Sequence, residues 1–214
     1  HPGWVGKEMK MEKSLGIGMI GSGFMGLSYS QCVVAHVEGA HLVSITGGSR
    51  AGALAEEHSV PADESVEAMV ARPEIDAVIM ATPDQCRLEI TEKVAAAGKH
   101  LLVEKPMAPT VAECDQMIQL CEQAGVSLGV VKTERFRTIT RKAKALIDEG
   151  AIGPIRMMRT LSAFPISLTR DVFAERQWMY DPNSGGLFMG MASHNTDFLR
   201  WLCGKNVVRV FAQV

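Results

Sequence analysis

An apolar run from Leu15 to Ile20 passes directly into Gly21-Ser22-Gly23-Phe24-Met25-Gly26, and the residues after it take up helical spacing. This constrains the fold more than any other feature of the chain. A glycine at the first position permits a tight turn out of a strand, the one at the third lets backbone approach a bound group, and the one at the sixth lets the following helix pack close. The start of such a helix offers unbonded N–H groups and the positive end of its dipole, so a phosphate is its natural occupant. Gly21, Ser22, Gly23, Phe24, Met25 and Gly26 are therefore the expected contacts of a dinucleotide pyrophosphate. Glycine-rich turns are common, and methyltransferases use similar loops, so the pattern needs support from the rest of the chain.

That support is alternation. Ala40 to Thr46, Asp76 to Ala81, His100 to Val103 and Ser127 to Val131 read as further strands, separated by segments with helical spacing. The clearest of these places Val111, Cys114, Ile118 and Cys121 on one face, with a Thr110/Glu113 capping box before it and Gly125 at its C-terminal stop. Regular alternation with apolar strands implies α/β architecture: a Rossmann-type doubly wound parallel sheet, covered by helices on both faces, over residues 13–132. From 133 to 214 the pattern changes. A helix from Thr138 to Glu149 stops at Gly150, a strand is expected from Pro154 to Phe164, and a stretch rich in Pro, Asp, Asn and Gly runs to Gly186. A short helix from Asn195 to Leu202 ends at Gly204, and Val207 to Val214 reads as a last strand. This is the pattern of a truncated α+β domain. Two strands make a marginal sheet, and their open edges invite pairing with another chain, so a homo-oligomer formed through this region is expected.

Composition excludes several classes. With 214 residues, 47% of them hydrophobic and 21% charged, the chain can bury a globular core. A net charge of -2 without a Lys/Arg run argues against nucleic acid as a partner. The apolar runs are strand-sized, well short of a membrane-spanning helix. Five cysteines, an odd number without C-x-x-C spacing, suggest neither a disulfide frame nor a metal site, and fit reduced thiols in a cytoplasm. The chain opens on His1, which leaves Met9 or Met11 as a candidate natural start, and its first dozen residues contain no signal-peptide core.

Three further segments carry chemistry. An acidic residue at the end of the second strand would bind ribose hydroxyls and repel a 2′-phosphate. This chain instead has Thr46-Gly47-Gly48-Ser49-Arg50, whose hydroxyl and guanidinium suit a phosphate, so NADP is the expected cofactor with NAD as the alternative. Ser49 could equally cap a helix beginning at Arg50. The second segment is Glu104-Lys105-Pro106, directly after His100 to Val103. A buried strand ending in an ionisable side chain delivers it to the edge where open α/β sheets bind ligands, and the proline keeps Lys105 extended. A solvated lysine at a proline turn has the same local sequence. The third is Gly185-Gly186 followed by His194, near the start of a helix whose Phe198, Trp201 and Leu202 look like core. Paired glycines allow close approach to a ligand, whereas a lone histidine in such a place is more often structural.

Taken together, the Gly21–Gly26 loop, Ala81-Thr82-Pro83, Gly98-Lys99-His100, Glu104-Lys105-Pro106, Arg135-Phe136 and His194-x-x-Asp197 with Trp201-Leu202-x-Gly204 resemble the glucose-fructose oxidoreductase, inositol dehydrogenase and rhizopine catabolism (Gfo/Idh/MocA) family. The resemblance covers nearly everything from Leu15 to Val214. It implies an NAD(P)-binding Rossmann domain, then an α+β domain supplying the substrate pocket and an oligomer interface. It also implies that Ala81, Thr82, Pro83, Glu104 and Lys105 face the cofactor, and that Lys105 and His194 flank the reacting carbon as catalytic residues. The implied activity is hydride transfer between nicotinamide and a sugar, polyol or related hydroxy compound, with a cofactor-binding sensor or regulatory relative as the competing class. Two positions depart from the family pattern. Gly190 stands where an aspartate commonly precedes the histidine by four residues, and Arg87 stands where a histidine commonly follows Ala-Thr-Pro. The sequence also stops where the family's large sheet should continue.

Overall fold

The computed structural model of the chain describes residues 14–162 and 186–213. Its centre is a five-stranded parallel sheet of β1 (Leu15–Ile20), β2 (Ala40–Thr46), β3 (Ala77–Met80), β4 (His100–Val103) and β5 (Leu128–Val130), in the order β2-β1-β3-β4-β5. Parallel neighbours require crossovers, and the helices supply them: α1 (Phe24–His36), α2 (Ala51–Glu57), α3 (Val66–Val70), α4 (Arg87–Ala96) and α5 (Val111–Gln123). The expected strands agree with these to within a residue at each end. The strand order runs out from β1 to opposite sides, β2 on one and β3 on the other, and such a switch point leaves a crevice between the ends of β1 and β3.

Side-chain alternation sorts the core into two layers. On β1, Ile17 and Met19 pack with Val33, Leu42, Ile45 and Leu54 on one side of the sheet. Ile20 packs on the other side with Met69, Val78, Met80, Val94, Val103 and Met117. Gly18 faces this second layer, where a Cβ would lie 2.7 Å from Met69 Sδ. Coverage of both faces is incomplete at one end: on β4, Leu101 and Val103 are buried, while His100 and Leu102 are exposed.

The capping box at Thr110 and Glu113 is present, and Gly125 follows α5 at φ +67°. The face that α5 buries differs from the expected one. Met117 and Cys121 are buried with Cys114 beside them, whereas Val111 is 77% and Ile118 42% exposed. Both stripes satisfy helical spacing, and the direction of the sheet decides between them.

Beyond β5, a short 3-10 turn (Thr133–Phe136) leads into α6 (Thr138–Asp148), followed after the undescribed residues by α7 (Gly186–Cys203). Here three expectations are corrected. The helix expected from Asn195 is already under way at Gly186, so Gly186 belongs to a helical turn and not to a ligand-approaching loop; Gly185 lies outside the described residues. Residues 154–162 and 207–213 form no strand. The ends of the two strands expected there, Phe164 and Val214, lie outside the described residues, as do most of the Pro/Asp/Asn/Gly-rich stretch and the candidate starts Met9 and Met11. The physical reason is pairing: a strand exists only beside a hydrogen-bonded neighbour, and neither segment has one among the described residues. Most of the apolar residues there are exposed, Val208 at 99% and Phe211 at 88%.

Candidate functional site

Backbone hydrogen bonds continue past the strand ends and align the loops that follow. Gly21 N–H donates to Thr46 O (2.8 Å), Ala81 N–H to Ile20 O (2.8 Å), Glu104 N–H to Met80 O (2.9 Å) and Val131 N–H to Val103 O (2.9 Å). The glycine loop, Ala81-Thr82-Pro83 and Glu104-Lys105-Pro106 therefore stand side by side on one edge. This is the edge where open parallel sheets bind ligands.

The glycine loop is shaped for close contact. Gly21 has φ +106°, and a Cβ on it would lie 2.5 Å from Ala81 O; a Cβ on Gly26 would lie 1.9 Å from Gly21 O. Both positions exclude a side chain, while Gly23 has nothing within 4 Å of its would-be Cβ and faces open space. α1 follows with no acidic residue in its first turn. These residues fit a dinucleotide pyrophosphate: an open, side-chain-free approach to N–H groups at the positive end of a helix. Ser22 is buried, and its Oγ accepts from Arg50 N–H (3.2 Å), tying the glycine loop to the loop after β2. Phe24 is exposed and Met25 half-buried. Ser49 and Arg50 are exposed; α2 begins at Ala51 with Arg50 as its cap residue, and the helix start receives no side-chain cap, so the alternative of Ser49 as a cap is not realised.

At the end of β4, Glu104 is buried and turned to the protein. Its carboxylate Oε1 accepts from the Tyr29 hydroxyl, and its carbonyl accepts from Arg87 Nη1. Burial, then the hydrogen bond to Glu104, pushes the Tyr29 phenol well above its ordinary range. Lys105 reaches the other way, and its Nζ donates to Gly190 O on α7 (2.7 Å). His194 lies one turn further along α7. Burial, then the charge on Lys105, holds its imidazole below the usual histidine range, and its buried Nδ1 has no hydrogen-bond partner among the described residues. Lys105 and His194, 89 positions apart in sequence, are thus brought to one place.

The second half of the site is held to the first by an ion pair. Arg135 donates from Nε to Asp197 Oδ2 (2.7 Å) and from Nη2 to Asp197 Oδ1 (2.5 Å), locking α7 to the turn that follows the sheet. Beside His194 opens a cavity of about 380 Å³ lined by Glu134, Thr160, Ser162, Met191, Asn195 and Phe198 among others. Thr, Ser and Asn groups around an imidazole suit a ligand rich in hydroxyls.

Sequence reasoning overlooked Tyr29 and the part played by Arg87. Arg87 did carry a signal, because a cation in the first position of a helix works against the helix dipole. Such a residue is placed there by something outside the helix. Tyr29 carried none: an aromatic on an apolar helix reads as core.

A pyrophosphate-shaped glycine loop on a doubly wound sheet, with a lysine and a histidine converging beside it, defines a dinucleotide-binding Rossmann protein. Comparison with known proteins makes this specific. Residues 15–132 match the oxidoreductase family with an NAD-binding Rossmann fold (Gfo/Idh/MocA), and residues 140–214 match the Gfo/Idh/MocA C-terminal domain. The chain belongs to this family. Inositol 2-dehydrogenase 2 of Saccharopolyspora erythraea is 28% identical over 93% of this chain and 57% of its own length. Myo-inositol 2-dehydrogenase of Thermotoga maritima is 31% identical over 67% of this chain and 41% of its own. The crystal structure of scyllo-inositol dehydrogenase from Lactobacillus casei, with bound NAD(H) and scyllo-inositol, superposes with a TM-score of 0.79 at 29% identity, covering 90% of this chain and 57% of that one. The chain thus spans little more than half the length of such relatives at most.

Proposed function

We propose that this chain belongs to an NAD(P)-dependent oxidoreductase that moves a hydride between nicotinamide and a CH–OH carbon of a sugar, polyol or related hydroxy compound. The observation that carries the reading is the convergence of Lys105 and His194: the 2.7 Å bond from Lys105 Nζ to Gly190 O sets the sheet-edge ammonium against the helix that bears the imidazole. Relatives named as inositol dehydrogenases, one of them with NAD(H) and scyllo-inositol bound, support the same class of substrate. The cofactor, when bound, supplies the hydride chemistry. It would be held by the backbone of Gly21 to Gly26, with Phe24 and Met25 at its edge, by Ala81, Thr82 and Pro83 across the crevice, and by Lys105 at the end of β4, where the expected contact from Glu104 is turned inward to Tyr29.

The protein's own residues handle the proton. As hydride leaves a carbinol carbon, the hydroxyl must lose its proton; in this reading Lys105 accepts it as the neutral amine and, in the reverse direction, returns it from the ammonium. His194, held neutral by its surroundings, can accept a hydrogen bond from the hydroxyl and orient it. The hydroxyl-rich substrate would occupy the cavity beside His194.

For the cofactor, Ser49 and Arg50 favour NADP over NAD. No carboxylate stands at the end of β2, and Arg50 is exposed beside the loop that Ser22 ties to the glycine turn. Charge-assisted contacts to a 2′-phosphate are among the stronger hydrogen bonds. Arg50→Ala should therefore weaken NADPH binding selectively; equal weakening of NADH would show the adenosine side to be misread. The free cysteines, two of them exposed, suit a reducing cytoplasm. The exposed apolar residues after Lys132 suit a homo-oligomer, and light scattering over a dilution series should find self-association.

A cofactor-binding sensor is the second reading. It is favoured by Gly190, because Lys105 meets a peptide carbonyl where a carboxylate is common in the family. Turnover of NADPH and NADH against sugars and polyols, with the affinity of each cofactor measured separately, decides between them. Binding without turnover on any substrate selects the sensor.

A further inference from the structure

Arg87 opens α4, yet only 3% of it is exposed. A cation at that position opposes the helix dipole, and burying it costs solvation. The planar guanidinium offers five N–H donors in a fixed fork, and here the fork spans two loops. Nε donates to Thr82 O (3.1 Å), joined by Nη2 on the same carbonyl, while Nη1 donates to both Glu104 O and Pro106 O. The carbonyls immediately before and after Lys105 are thus held by one rigid group, which also grips the loop after β3. Burial draws the guanidinium below its ordinary value, and the charges of Asp84, 1% exposed, and Glu104 oppose that shift. Glu104 is fixed from its other end by Tyr29.

We propose that Arg87 is a positioning residue for Lys105: its guanidinium clamps the Glu104 and Pro106 carbonyls to the Thr82 loop, and so aims the Lys105 ammonium at the Gly190–His194 face of α7. The kinetic part of this inference rests on the proton-handling role given to Lys105 above. The geometric part does not. A lysine at position 87 would keep the charge but lose the planar fork, so it could not hold both loops at once.

Arg87→Met and Arg87→Lys test it in two readouts. The first is the rate at which an amine-acylating reagent labels Lys105, followed by peptide mapping, with Lys93 and Lys144 of the same molecule as references. Both variants should label Lys105 several-fold faster relative to those references while retaining a cooperative melting transition. The second is steady-state turnover: a misaimed proton-transfer group should lower kcat by about ten- to a hundredfold with a smaller change in KM, and the Met variant should lose more than the Lys variant. Folded variants with unchanged Lys105 labelling overturn the proposal, whatever the turnover. If neither variant melts cooperatively, Arg87 is a folding element and the proposal is equally overturned. Faster labelling in variants of a protein that turns over no substrate leaves the clamp standing and removes the dehydrogenase reading instead.

Discussion

Residues 14–132 and the described residues after them are both rich in apolar side chains, and they bury them very differently. In the first region Met19, Ile45, Val78, Met80 and Val103 are wholly enclosed between sheet and helices. In the second, Leu202 is the one hydrophobic side chain that reaches the core among the described residues, while Leu161, Val210 and Phe211 are more than three-quarters exposed. Hydrophobicity sets a demand for burial, and only a neighbouring surface satisfies it. Every strand of the first region is hydrogen-bonded to at least one neighbour. The Lys105–Gly190 bond joins α7 to the first region, while Arg135–Asp197 ties α7 to the turn that opens the second.

The candidate site straddles this difference, since Lys105 comes from the first region and His194 from the second. Lys105→Met should reduce turnover by about a hundred- to ten-thousand-fold, the span typical of a general acid/base, with cofactor affinity little changed. His194→Ala should cost less, because a neutral imidazole that orients a hydroxyl does less than the group that takes its proton. The reverse ranking in steady-state kinetics would break the comparison.

Stability should divide along the same line. Met80→Ala removes a wholly buried side chain and should destabilise the fold by about 2–5 kcal/mol in denaturant titration. Phe211→Ser, at an 88% exposed position, should stay within about 0.5 kcal/mol. A large loss from Phe211→Ser would reveal a partner surface for the last segment, and protein-concentration dependence of that loss would identify it as another copy of the chain.

Smaller effects sharpen the attachment of α7. Asp197 is largely enclosed and Arg135 40% exposed on its side chain, so solvent screens the pair, and Asp197→Asn should cost less than about 1 kcal/mol. Its clearer signature is at His194, whose imidazole should move back toward its ordinary value as α7 loosens, readable by NMR titration. His194 also sets a pH dependence. Its folded value is depressed, so the unfolded chain binds the proton more readily. The stability contribution is fully present above the unfolded value of about 6.5 and is lost as pH falls below it. Melting temperatures measured on both sides of that value should show the loss, and His194→Ala should flatten it. An unaltered slope in the variant would assign the acid sensitivity to other groups.

Much of the first region was legible because its signals are local. Alternating apolar runs, a glycine loop at a strand end and a Thr110/Glu113 cap each depend on residues within a few positions of one another, and each appears where expected. The misplaced face of α5 shows the limit, since helical spacing names stripes but not the one that meets the sheet. In the second region the segments at 154–162 and 207–213 have strand-like sequences and no ladder to join among the described residues. Strand propensity is largely a statement about neighbours.

The order of motifs along the chain determined the family, the sheet-edge position of Lys105 and the shape of the glycine loop, because backbone conformation and strand polarity follow from nearby residues. Tertiary structure alone decided that Arg87 would grip both carbonyls flanking Lys105, that Glu104 would turn inward to Tyr29, and that Gly190 would meet the lysine across 85 residues. Those contacts join side chains from separate crossovers. Their geometry is set by how helices pack on a twisted sheet, which no run of neighbouring residues records.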